Sequence, residues 1–168
     1  ISNDSLRYFK VYNANTGIDI SSPVTLTAVT VRNAGGTGIN VNTVSNGNVS
    51  LNDITVKHSN GDGIIINSPN VNVNWAVIDS CSNVGLAVDE SGIATISNFK
   101  ISNCSGSGIF IYDGELTVTN AYITENGGNG LVNSSGDLNV TYSDVVSNDL
   151  DGLLIGGSGS TNITYTTS

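Results

Sequence analysis

The chain repeats one arrangement of apolar and polar positions every 21 to 25 residues. In each repeat a glycine follows fourteen residues after the first apolar residue of the block, as in Val24 to Gly38 and Val49 to Gly63. A short apolar-x-apolar triplet comes directly after each of these glycines. A fixed block joined by a connector of slightly variable length is typical of a stacked repeat protein.

Aligning the blocks on the glycine gives six apolar columns, and only Asn133 and Ser143 interrupt them in the six full repeats. The columns come in pairs spaced by two residues, which predicts three short strands per coil with alternate side chains pointing inward. Stacked on the equivalent strands of the next coil, these strands would form three parallel sheets around one core. The predicted fold is all-β: a right-handed, three-sheet parallel β-helix of about seven coils.

These repeats resemble those of the right-handed parallel β-helix family typified by pectate lyases, and the resemblance covers nearly the whole chain. It rests on the coil architecture alone, and a repeat fold hosts many functions, so it brings no active site with it. We interpret residues 1–168 as one domain, with an irregular coil or cap at 1–17 and an incomplete last coil at 161–168. Because the chain begins at Ile1 rather than Met, we expect that a leader or a larger upstream region was removed.

The outward positions of the third predicted strand form an unexpected apolar stripe, because side chains that point away from the core are normally polar. From the third full repeat onward the sequence predicts a few hundred Å² of exposed apolar surface. A patch of that size indicates a contact with another subunit or domain, unless a connector covers it. The predicted interface residues are Ile65, Ala87, Phe110, Val132 and Leu154.

The outward positions of the first predicted strand are pairs of small hydroxyl or amide side chains, such as Thr25 with Thr27 and Asn72 with Asn74. They either fill an exposed sheet or lie against a regular surface. That surface would be a polysaccharide, a neighbouring rod or ice, and these pairs of side chains resemble those of β-helical antifreeze proteins.

The charge balance limits the partners that the chain can have. It contains 14 acidic and 5 basic residues, a formal net charge of −9, and we expect no basic stripe that would neutralise nucleic acid or an anionic lipid surface. No apolar run approaches the ~18 residues that would span a bilayer. The sequence therefore predicts an extracellular or cell-surface protein that binds no nucleic acid and does not insert into a membrane.

Acidic side chains gather in one family of turns, and successive coils would bring their oxygens near one another. Hard oxygen ligands suit Ca²⁺, so these residues are a candidate calcium site, with solvated turns as the alternative. No other cofactor is indicated. The candidate ligands are Asp89, Glu90, Asp113, Glu115 and Asp137.

Two further features concern covalent chemistry. Cys81 and Cys104 occupy the same column one coil apart, a separation compatible either with a disulfide or with two stacked free thiols. Several N-glycosylation sequons occur, of which Asn48, in the longest connector, and Asn139, on the first sheet, are predicted to be the most accessible.

The sequence shows no constellation of acid, base and arginine, and no facing carboxylates, so we expect a protein that is not an enzyme. The favoured interpretation is an extracellular structural module, either a surface adhesin or a fibre-forming subunit that self-associates or contacts neighbouring domains of a longer chain. The alternative is a carbohydrate-active or carbohydrate-binding β-helix, and the third is binding to ice or a crystalline surface. Trp75 and Tyr142 share a column but lie three coils apart, which is weak support for a sugar site.

Overall fold

The computed structural model describes residues 4–45, 47–89, 92–164 and 167. They form a right-handed parallel solenoid of about seven turns. No helix occurs in this part of the chain, and so none that is long and apolar enough to cross a membrane. The strands, in chain order, are β1 (Asp4–Arg7), β2 (Lys10–Tyr12), β3 (Ile18–Ile20), β4 (Val24–Arg32), β5 (Ile39–Val41), β6 (Val49–Lys57), β7 (Ile64–Ile66), β8 (Val71–Asp79), β9 (Leu86–Val88), β10 (Ile93–Ser102), β11 (Ile109–Ile111), β12 (Glu115–Thr124), β13 (Leu131–Asn133), β14 (Asp137–Thr141), β15 (Asp144–Val146), β16 (Leu153–Ile155) and β17 (Thr161–Thr164).

The predicted right-handed parallel β-helix is confirmed, and its three predicted strands per coil are hydrogen-bonded into two sheets because the first two are joined through a bend. The long sheet has the order β1-β4-β6-β8-β10-β12-β14-β17, with β2 and β15 paired beside it, and the short sheet runs from β3 to β16. The first two predicted strands of a coil are continuous in β4, β6, β8, β10 and β12. All pairs are parallel, and each residue lies opposite its equivalent in the next coil, as Val49 does opposite Val24 and Val71.

One residue with a positive φ angle bends each long strand at its middle, which explains why two predicted strands become one. Ala28, Asp53 and Trp75 occupy this position in β4, β6 and β8, with φ of 55°, 53° and 58°. A single left-handed residue redirects the chain while the ladders on both sides stay in register. We call this column the bend column; its members are Tyr8, Ala28, Asp53, Trp75, Asn98, Asn120 and Tyr142. A second left-handed column, which includes Asn33 and Asn103, ends the long strands.

The core follows the predicted columns closely. Of the 36 inward positions in six full repeats, all are buried except Leu153 and Ile155 in the last coil. The two polar interruptions are accommodated by hydrogen bonds: Ser143 Oγ accepts from the Ala121 N–H (3.1 Å), and Asn133 Nδ2 donates to the Gly136 carbonyl (2.7 Å). Each coil is therefore anchored by apolar contacts above and below, and the core is a continuous column.

The repeated glycine serves close approach between coils rather than an unusual backbone angle. Among the described glycines only Gly157 has a positive φ. A Cβ at Gly108 would lie 2.4 Å from Ile123 Cγ2 and 2.7 Å from the Gly130 carbonyl oxygen. The space that a side chain would need is filled by the next coil.

Candidate functional site: a basic and aromatic face of the long sheet

All five basic side chains of the protein lie on the outer side of the long sheet. Arg7 lies on an outward position just before the bend column. The other four cations lie on outward positions in the strand segments that follow the bend. Lys10 pairs in register with Thr30, and Arg32 pairs with Lys57, so the four cations occupy two adjacent columns. We call this surface the basic face; its cations are Arg7, Lys10, Arg32, Lys57 and Lys100.

A shallow groove of about 290 Å³ crosses the basic face where Trp75 projects from the bend of β8. The Trp75 side chain is 63% exposed, because its left-handed backbone places it outside the coil while Ala76 enters the core. Asp53 and Lys100 also line this groove. An indole ring with one face open to solvent, next to a cation and a carboxylate, is suited to binding a ligand that has both apolar and polar faces.

A ladder of amide side chains runs along the floor of the groove from coil to coil. Asn120 Nδ2 donates to Asn98 Oδ1 (2.7 Å), and Asn98 Nδ2 donates to Asn74 Oδ1 (2.9 Å). Ser97 Oγ also donates to Asn74 Oδ1 (2.9 Å). Each amide nitrogen carries two hydrogens, so a second donor remains on each of Asn98 and Asn120 for a ligand. Because each amide is hydrogen-bonded to the amide of a neighbouring coil, the ladder fixes the orientation of these groups.

Lys100 is exposed and lies over the ring of Tyr122, with Nζ 5.7 Å from the ring centroid. This cation–π contact holds the ammonium group at the edge of the groove. Beside the groove, at the ends of β6 and β8, Lys57 Nζ lies 3.5 Å from Asp79 Oδ2. Burial acts to raise the pKa of Asp79, but hydrogen bonds from Asn103 and Ser102 and the charge of Lys57 lower it overall. Asp79 therefore neutralises Lys57 in part, while Lys100 keeps its charge available.

A larger hollow, of about 550 Å³, lies at the first coil but has a different character. Its lining includes Phe9, Ile18 and Ile20 at the end of the core column, the exposed Leu6, and the polar residues Asp4, Ser5, Asp19, Ser21 and Ser22. The charged groups that line it are two carboxylates, Asp4 and Asp19, without a cation. We therefore place the candidate site at the smaller groove, where charge, an aromatic ring and amides converge.

The predicted interface stripe is less exposed than the sequence suggests. Ala87 and Val132 are buried, Ile65 and Phe110 are half-buried, and only Leu154 is exposed, at 44%. The side chains of neighbouring coils cover one another along the stripe. Phe110 is also covered by Tyr112, whose ring centroid lies 4.4 Å from its own. The continuous apolar surface expected for a large interface is thus absent from these positions.

The acidic turn residues do not come together as a metal site in the described part of the chain. No three His, Cys, Asp or Glu side chains are grouped there closely enough to hold an ion. Glu115 and Asp137 are paired in register, and Asp137 Oδ1 accepts a hydrogen bond from the Ser160 N–H (2.7 Å). Asp113 is exposed and Asp89 half-buried, whereas Glu90 lies outside the described residues. Calcium binding by these turns stays a prediction.

Asp62 lies in a turn away from the basic face, and its pKa is shifted in the opposite direction to that of Asp79. Burial raises the pKa of Asp62, although the Val84 N–H donates to its Oδ1 (2.9 Å) and Asn83 also bonds to it. Burial, with smaller contributions from Asp62 and Asp89, raises the pKa of Tyr112 as well. These groups lie beside the short sheet and are separate from the groove.

Cys81 and Cys104 are unbonded and buried in the structure, and a disulfide between them stays a prediction. A hydrogen bond with the Cys104 thiol, together with burial, raises the pKa of Cys81. The same hydrogen bond lowers the pKa of Cys104. Both side chains are shielded from solvent and fill the corner of the coil as small apolar side chains would.

The two predicted glycosylation positions differ in access. Asn48 is exposed in its connector. Asn139 is half-buried, and its Oδ1 accepts a hydrogen bond from Asn162 Nδ2 (3.2 Å) on the neighbouring strand. The geometry makes Asn48 the more accessible acceptor.

Three solved structures have a similar fold. The periplasmic alginate epimerase AlgG superposes with a TM-score of 0.80 at 16% identity, over 97% of this chain and 43% of that one. The pectate lyase Pel9A gives 0.70 at 16% identity, over 86% and 44%. The catalytic domain of Agl-KA gives 0.64 at 11% identity, over 96% and 48%. At these identities the likeness concerns the fold, and the chain spans less than half the length of these proteins.

No curated protein matches the sequence significantly. The family model described as "Right handed beta helix region" matches residues 11–168, which is nearly the whole chain. Together with the parallel two-sheet solenoid, this match shows that the chain belongs to the right-handed β-helix family.

Proposed function

We propose that the protein binds an acidic polysaccharide on its basic face, without cleaving it. One observation carries the proposal: a protein with a formal charge of −9 places all five of its cations on the outer side of one sheet, and Lys57 and Lys100 lie one coil on either side of an exposed tryptophan. Cations gathered on one face of an acidic protein create a local field that attracts anions. The surrounding acidic surface would disfavour non-specific binding of polyanions elsewhere.

The groove supplies the three contacts that a sugar acid needs. The open face of Trp75 can stack on the apolar face of a pyranose ring. Asn98 and Asn120 present amide groups for its hydroxyls, and Lys100 presents a cation for its carboxylate. The names of two fold neighbours, an alginate epimerase and a pectate lyase, refer to acidic polysaccharides and support the same class of ligand.

Binding without catalysis is proposed because the described groove has one carboxylate, Asp53, and one ammonium group, Lys100. Glycoside hydrolysis uses a pair of carboxyl groups placed on either side of the bond. The groove offers no such pair, and no metal cluster occurs among the described residues to replace it.

The structural adhesin or fibre interpretation depended on the apolar stripe, which is largely covered by its own neighbours. The carbohydrate alternative agrees better with the fold neighbours. A carbohydrate-binding role also agrees with a location outside the cytoplasm, such as that of the periplasmic alginate epimerase.

The test is affinity measurement on immobilised pectate, alginate and a neutral glucan. We expect the protein to bind at least one acidic polymer, more weakly as salt screens the cations, and not to bind the glucan. Trp75→Asn should weaken binding about tenfold, since the loss of a stacked aromatic ring costs on the order of 1–2 kcal/mol. Asparagine is chosen because Asn98 and Asn120 already occupy this column with positive φ.

Tyr112→Ala is the matched control, because Tyr112 is an exposed aromatic residue beyond the short sheet, away from the basic face. It should leave binding unchanged. The proposal fails if neither acidic polymer is retained, or if Trp75→Asn binds as well as the unmodified protein. Stronger retention on single-stranded DNA than on both acidic polysaccharides would also contradict it, because stacking aromatics and cations serve that ligand too.

A further inference from the structure

The bend column contains three strongly exposed aromatic side chains at equal intervals. Tyr8 is 80% exposed, Trp75 63% and Tyr142 64%. Three coils separate Tyr8 from Trp75, and three more separate Trp75 from Tyr142, because the flanking strands pair in register throughout. At ~4.8 Å per stacked strand, each interval is about 14 Å. The three rings are thus aligned along the solenoid axis.

The charged side chains beside this line of rings differ in sign between its two halves. The half between Tyr8 and Trp75 is flanked by Arg7, Lys10, Arg32 and Lys57 on the outward columns beside it. Beyond Lys100 the outward side chains change sign, since Asp144 lies two residues after Tyr142 and pairs in register with Tyr122. Glu125, which follows β12, is exposed nearby. An anionic chain is therefore attracted along the first half and repelled along the second.

The cations are also spaced along the solenoid axis by whole coils. Lys10, Arg32 and Lys57 come from three successive coils, and Lys100 comes from the second coil after Lys57. A pyranose in an extended chain advances by a distance comparable with the ~4.8 Å between strands. An acidic polysaccharide lying parallel to the axis would thus place about one sugar on each coil, with its acid groups near successive cations.

We propose that a single acidic polysaccharide chain lies along the solenoid axis from Tyr8 to Lys100, one sugar per coil, with its first sugar stacked on Tyr8 and its fourth on Trp75. This inference rests on the proposed function and adds the direction, the length and the polarity of the bound chain. The tract covers five coils, and the bound ligand ends before the acidic half of the bend column. Asp53, the one acidic member of the column within the tract, lies between the two rings and can accept from sugar hydroxyls.

The test is calorimetry with oligogalacturonates of increasing length and three asparagine variants. For the unmodified protein we expect affinity to rise with each added sugar up to about five, and then to level off when the tract is filled. Tyr8→Asn should weaken binding of the longer oligomers about tenfold, and it should leave binding of a disaccharide unchanged. The substitution suits the backbone, because asparagine tolerates the left-handed conformation.

Tyr142→Asn is the control within the same column, with similar exposure and the same backbone angle but on the acidic side. It should leave binding of every oligomer unchanged. Equal losses for Tyr8→Asn and Tyr142→Asn would overturn the polarity of the tract. Binding that depends on Trp75 but not on Tyr8 or on oligomer length would overturn the axial tract while leaving the groove as the site. No binding of any oligomer or polymer would instead refute the proposed function itself.

Discussion

Replacing Gly108 with alanine is expected to destabilise the protein severely. The added Cβ would lie 2.4 Å from Ile123 Cγ2, 2.7 Å from the Gly130 carbonyl oxygen and 3.0 Å from Asn126 Nδ2. One of these contacts is to backbone, so the next coil must move and not merely a side chain. Overpacking of a close-packed core costs typically about 1–3 kcal/mol, and we expect about 3 kcal/mol here because a backbone ladder is displaced. Thermal unfolding should show a midpoint lower by about 6–12 °C.

Gly35→Ala is the matched control for this experiment. A Cβ at Gly35 meets its nearest atom, Asn15 Oδ1, at 3.5 Å, an ordinary van der Waals contact, and φ at this residue is not positive. We expect a midpoint within about 1 °C of the unmodified protein, as for most surface substitutions. Equal midpoints for the two variants would show that the glycine column does not serve close packing between coils.

Removal of the Asn126 side chain is the second change for which we expect a large loss. This side chain is fully buried and connects three coils: its Oδ1 accepts from the Cys104 N–H (3.0 Å), and its Nδ2 donates to Asn148 Oδ1 (2.9 Å). Asn126→Ala leaves the Cys104 N–H without its acceptor. An unsatisfied buried donor costs about 1–3 kcal/mol, and the cavity adds to it, so we expect about 2–4 kcal/mol in denaturant unfolding.

Asn148 provides the comparison, because it is half-buried and stands one coil nearer the end of the stack. Its Nδ2 donates to the carbonyls of Ile123 and Val146, both at 3.2 Å. Asn148→Ala should cost less than Asn126→Ala. The double variant should cost less than the sum of the two, because both members belong to one ladder. Strict additivity would mean that the two amides act independently.

The apolar columns predicted the core because a parallel solenoid repeats its inward positions in register from one coil to the next. The same alignment did not reveal the bends, since the residues at the bend column, Ala28, Asp53 and Trp75 among them, share no side-chain property. What they share is a backbone angle. The sequence signal for the bends was asparagine, which is enriched in the left-handed region. It occurs at Asn98 and Asn120 in the bend column and at Asn33 and Asn103 in the second left-handed column.

The basic face was missed for a related reason. The expectation of no basic stripe rested on the overall balance of 14 acidic to 5 basic residues, which does not show where the cations lie, and the sequence separates Arg7 from Lys100 by more than ninety residues. Because Lys10 and Lys100 fall on one outward column, and Arg32 and Lys57 on the next, the alignment of coils contained this information. The exposure of the apolar stripe was overestimated: Ala87 is buried and lies opposite the larger Ile65 and Phe110 of the neighbouring coils, while the role of the stripe as an interface stays a prediction.

The most direct test of the proposed site uses Trp75, the only tryptophan of the protein, as its own reporter. Acrylamide should quench the fluorescence of the free protein efficiently, since the indole is well exposed. With saturating pectate or alginate, we predict a clearly reduced quenching constant and a blue-shifted emission maximum, because a stacked sugar covers the ring. Unchanged quenching and emission, under conditions where the polymer is independently shown to be bound, would contradict the account by placing the ligand elsewhere on the solenoid.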